Sequence, residues 1–73
     1  MAVPLRSLVS SHLLAAGYDP ASRTLSVQFE GGAIYEYYDV PPSIYEEMLS
    51  AQPHPWTAVN RKLRESHEYR RRS

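Results

Sequence analysis

The sequence predicts an α+β domain: a three-stranded antiparallel β-meander followed by two α-helices packed on one of its faces. Three observations carry that expectation. "TLSVQFE" alternates apolar and polar residues with the period of a strand. "EGGA" is a turn, and "AIYEYYDV" after it is a second run rich in β-forming residues. Beyond Pro41 and Pro42 the apolar residues change to helical spacing.

The chain has 73 residues, read as one domain over 1–73 with a basic helix and tail at 60–73. A chain this short buries only about 60–65% of the surface its unfolded form exposes, so its core is thin. Tyrosines must then supply much of the buried area, and four of the six fall between Ala33 and Met48. There is no cysteine, which excludes disulfides and thiolate metal sites and fits a reducing compartment such as the cytoplasm. Pro4 and Arg6 interrupt the start, so no secretion signal is expected there, and no apolar run is long enough to cross a membrane.

The first strand is read at about 12–18, with Leu14, Ala16 and Tyr18 on one face. Gly17 and the "YDPAS" turn signal argue for a strand there and against a helix. The second strand, about 24–30, puts Leu25, Val27 and Phe29 together. The third, about 33–39, poses a question of register. A two-residue Gly31-Gly32 loop would bury Glu36 beside Val27, at a cost of several kcal/mol if unpaired. A three-residue loop with a left-handed glycine shifts every side chain to the other face. Tyr35 and Tyr37 then join Val27 and Phe29, and Glu36 goes to solvent. The three-residue loop is the expectation.

The first helix is placed at about 42–51, with proline in its first turn and Ser43 to Glu46 at capping-box spacing. Ile44, Tyr45, Met48 and Leu49 form its apolar stripe. Pro53 and Pro55 break it around His54. The second helix, about 56–66, lines Trp56, Val59 and Leu63 on one face. The terminal "YRRRS" reads as a short edge strand or a tail. The expected core is Leu14, Tyr18, Leu25, Val27, Phe29, Tyr35, Tyr37, Val40, Ile44, Met48, Leu49, Val59 and Leu63.

Formal charge is zero overall but sorted along the chain. Through Val59, Arg6 and Arg23 face six acids; from Asn60, Arg61, Lys62, Arg64, Arg70, Arg71 and Arg72 face only Glu65 and Glu68. A basic end of this kind suits phosphate or an acidic protein surface. The plainer reading is a solvated helix face and a tail.

The order of motifs resembles the KTSC family, named for a domain at the C-terminus of some lysyl-tRNA synthetases and also found as small stand-alone proteins. The resemblance rests on Ser11, Gly17-Tyr18-Asp19, Leu25, Phe29, Gly32-Ala33-Ile34-Tyr35-Glu36-Tyr37 and Val40-Pro41. It continues through Tyr45, Leu49, the basic run Arg61 to Arg64, and Tyr69. It favours Tyr35 and Tyr37 as fold residues, and its place on a synthetase associates it with nucleic acid by position alone. Family members carry a Ser-x-Gly loop, an aromatic pair and Asn before the basic helix. "QPHPWTAVN" departs from that pattern and has no glycine.

The function expected is that of a small non-catalytic module for protein interaction or self-association. Its contact groups would be the basic residues Arg61, Lys62, Arg64, Arg70, Arg71 and Arg72 gathered on one surface, with Tyr38 and Trp56 as aromatic contacts and His54 as a loop site. The alternative is RNA binding through the same basic end, with Tyr38 or Trp56 stacking on bases. A small ribonuclease built on His12, His54 and His67 has no supporting motif. No cofactor, metal or membrane partner is expected, since the histidines do not fall at metal-ligand spacing.

Overall fold

The computed structural model describes residues 5–8, 10 and 12–72. Ser11, which the family resemblance used, lies outside the described residues. The elements in chain order are β1 (Arg6–Ser7), β2 (Leu13–Asp19), β3 (Thr24–Phe29), β4 (Ile34–Tyr37), α1 (Pro42–Ser50), α2 (Pro55–Ser66) and β5 (Tyr69–Arg71). The strands form one antiparallel sheet in sequence order, β1-β2-β3-β4-β5. The fold class is as the sequence predicts, with a short strand added at each edge. The described helices are too short to cross a membrane.

The β3–β4 hairpin has the three-residue loop. Phe29 N–H donates to Ala33 O and Gly32 N–H to Phe29 O, with Gly32 at φ +96. That positive φ is where glycine has no side chain to strain. The register follows: Val27 opposes Tyr35 and Leu25 opposes Tyr37. Tyr37 is 3% exposed and belongs to the core with Leu25, Val27, Val40, Met48, Val59 and Leu63.

Four expectations need correction. The core residue at the start of β2 is Leu13, 1% exposed, while Leu14 is 43% exposed. The cause is a β-bulge: Leu13 opposes Phe29, but Ala15 already opposes Gln28, so Leu14 is the extra residue. Below the bulge, Ala16 and Tyr18 keep the expected face opposite Val27 and Leu25. Leu49 is 38% exposed and outside the core. It lies about 100° round the helix from buried Met48, past the edge of the stripe that Ile44 and Met48 define. Ser43 caps nothing. The helix already begins at Pro42 with Pro41 as N-cap, so Ser43 sits inside the first turn. Glu36 is off the core face but is not simply in solvent: its side chain is 19% exposed and meets Arg72 Nη1 at 3.4 Å and the Tyr38 hydroxyl at 3.3 Å.

The helices pack on the Leu25–Val27–Tyr37 face. Met48 and Ile44 of α1 and Val59 and Leu63 of α2 enter the core at i, i+4 spacing. Tyr45 stacks on Tyr18, ring centroids 5.6 Å apart, and the Tyr18 hydroxyl donates to Val40 O. Lys62 ties the helices together by an ion pair to Glu47 at 2.8 Å.

A candidate binding groove

Where α2 crosses β3, β4 and β5, the aromatic side chains do not close over one another. They leave an open groove of about 390 Å³ lined by Phe29, Ala33, Tyr35, Tyr37, Trp56, Arg64 and Tyr69. Strand alternation supplies most of it. Tyr35 and Tyr37 point to the helix face, and Tyr69 opposes Tyr37 on that same face. Pro55 at the first position of α2 sets the helix start, and Trp56 follows it over the sheet. Trp56 and Phe29 meet edge to face at 5.0 Å, and Phe29 meets Tyr35 likewise at 5.6 Å. Tyr69 lies 5.4 Å from Tyr37 and 5.9 Å from Tyr35. Such pairs are worth roughly 0.5–1.5 kcal/mol each beyond area burial, so the walls are held by the rings themselves. Arg64, two turns beyond Trp56 on α2, rims the groove.

Burial, then the neighbouring Tyr69 and Tyr35, push the Tyr37 hydroxyl up to about 12, with Arg64 acting in the opposite direction. The unfolded chain ionises this tyrosine near its ordinary value of about 10. Between those values the unfolded state has lost a proton that the folded state keeps, so stability falls as pH rises. The contribution is fully present below the unfolded value. About 2 kcal/mol should be lost from about pH 10 to about pH 12. Urea denaturation of the native chain and Tyr37→Phe at about pH 9 and about pH 12 checks this. The native chain should lose that much more than the variant, and equal losses would refute it.

The basic residues expected to share one surface are divided by the fold. Arg61 pairs with Glu65 at 2.8 Å on exposed α2, and Lys62 with Glu47. Arg64 reaches the groove. In β5, Arg71 opposes Tyr35 on the groove face, while Arg70 opposes Glu36 on the other face. Arg72 also pairs with Glu36. Tyr38 lies away from the groove: its hydroxyl bonds Glu36, and its carbonyl lies 3.1 Å from His67 Nδ1. Of the two expected aromatic contacts, only Trp56 is at the groove. His54 is exposed at the N-terminus of α2, outside the groove lining. Sequence reasoning placed Phe29 and Tyr35 in the core and gave Tyr69 no site role; all three line the groove. Among the described residues, no group of three or more His, Asp or Glu side chains is placed to hold a metal.

The KTSC domain family model matches residues 9–67. The chain belongs to the KTSC family. A protein of Tsukamurella paurometabola is 46% identical to this KTSC domain over 48 residues, 66% of this chain and 72% of that one. A lysine–tRNA ligase of a Nostoc species is 39% identical over 51 residues, which are 70% of this chain but 9% of the ligase. The crystal structure of a KTSC domain protein from Yersinia pestis superposes with a TM-score of 0.84 at 29% identity, covering 99% of this chain and 100% of that one.

Proposed function

We propose that this KTSC domain is a non-catalytic protein-interaction module of the cytoplasm whose contact face is the aromatic groove. The observation that carries the reading is the groove itself: five aromatic side chains ring an open concavity with a single guanidinium at its rim. Tyrosine, tryptophan and arginine are the residues that dominate protein contacts, because they bury large rigid areas while keeping a polar end. Phosphate binding finds less support. Arg61, Lys62 and Arg72 each face a carboxylate, so few cations remain to draw a polyanion.

Selection of a displayed random peptide library on the native chain tests the reading, with an Arg64→Ala/Tyr69→Ala variant as the counter-target and a single-stranded RNA pool run in parallel. Peptides should enrich on the native chain and not on the variant. Retention of RNA that the variant loses, with no enriched peptide, would overturn the proposal in favour of nucleic-acid binding.

A further inference from the structure

β5 is one open edge of the sheet, and its register fixes which backbone groups look outward. Arg72 N–H donates to Ile34 O at 2.6 Å, and Tyr38 N–H donates to Glu68 O at 2.9 Å. Hydrogen-bonded positions alternate along an antiparallel pair. Arg70, opposite Glu36 and midway between those two bonds, therefore also bonds inward. Tyr69 is left with its N–H and C=O directed away from the sheet. Its side chain meanwhile hangs over the groove, 55% exposed. Side chains alternate as well: Tyr69 faces the groove and Arg70 faces the opposite side.

Charge completes the description. Arg64 and Arg70 have no ion-pair partner among the described residues. One sits at the groove rim and the other on the edge strand, so an added strand would pass close to both.

We propose that the occupant of this face is an extended acidic protein segment that pairs with β5 as a further strand. Its apolar or aromatic side chains lie over the groove, the central ring beside Arg64 at the rim, and its carboxylates meet Arg70 on the opposite face. This rests on the groove being a protein-binding face. Strand addition draws affinity from main-chain hydrogen bonds and specificity from alternate side chains. The alternation required here is acidic and apolar by turns. Arginine forks pair with carboxylates by charge-assisted hydrogen bonds, which fixes the register.

A second copy of the chain fits the edge poorly. Pairing β5 with itself about Arg70 sets that residue against its own copy, and like charges directly opposite are destabilising. Pairing about Tyr69 would next require the N–H of His67, which is already donated to Leu63 O.

The probes are three synthetic peptides: Ac-EVEYEVE-NH2, its lysine counterpart Ac-KVKYKVK-NH2, and Ac-EEVYVEE-NH2, which keeps the composition but breaks the alternation. Trp56 emission reports groove occupancy, since it is the chain's one tryptophan. Amide exchange at Tyr69, read by NMR, reports strand pairing. The alternating acidic peptide should bind the native chain, slow exchange at the Tyr69 amide and weaken with salt. The other two peptides, and the Arg64→Ala/Arg70→Ala variant with the first, should bind at least about tenfold less tightly. Trp56 responding equally to all three peptides would overturn the acidic-strand proposal and leave the groove reading standing. The same holds if the acidic peptide binds without slowing the Tyr69 amide. Peptide that binds without moving Trp56 would overturn the groove reading itself. If no peptide binds, or if a dimer through β5 excludes them, the arginines act as guards of an edge that nothing joins, and the proposal is wrong.

Discussion

Tyr37→Ala should destabilise the domain by about 3–5 kcal/mol, the range for truncating a large aromatic in a packed core. Tyr37 is 3% exposed, opposes Leu25 across the hairpin and touches both Trp56 and Tyr69. Removing the ring leaves a void beneath α2 that a domain this small has little core to collapse into. Tyr69→Ala, at the exposed lip of the same cluster, should cost about 1 kcal/mol or less. Urea denaturation of both variants checks the contrast. Similar costs would mean that the hairpin register does not hold the tyrosines as described.

Leu13→Ala should cost about 2–5 kcal/mol and Leu14→Ala well under about 1 kcal/mol. The two residues are chemically identical neighbours, and only the bulge sends the first inward and the second outward. Two separate denaturation curves are enough to read the difference. The reverse order of costs would place the first strand in the uninterrupted register that simple alternation predicts.

That pair shows where the sequence is legible and where it is not. The β3 alternation and the loop length were readable because a wrong register carries a physical penalty: it buries Glu36. No such penalty separates Leu13 from Leu14, so the pattern is silent about the bulge. The helical stripe was readable at Ile44 and Met48, whereas Leu49 sits at its margin, where a fraction of a turn decides burial. The edge strands are too short for a periodic signal: β1 has two residues and β5 has three.

The groove was harder still. Its lining comes from β3, the hairpin turn, β4, α2 and β5, so no single stretch announces it. Sequence proximity also misleads for the basic end. Arg70, Arg71 and Arg72 are consecutive, and strand alternation alone sends them to opposite faces. Adding their charges along the chain therefore suggested a surface that the sheet divides. The tyrosines have divided duties in the same way. Tyr37 closes the core, Tyr35 and Tyr69 line the groove, Tyr45 braces α1 on Tyr18, and Tyr38 bonds Glu36 on the opposite side.

The most direct test of the groove as the contact face is the emission of Trp56 during titration with the peptide enriched on the native chain. Trp56 packs against Phe29 at 5.0 Å within the groove wall, so an occupant must change its surroundings. The expected result is a saturable shift at one peptide per chain that disappears in Arg64→Ala/Tyr69→Ala. Calorimetric binding of that peptide with Trp56 emission unmoved would place the contact elsewhere on the domain and contradict the account.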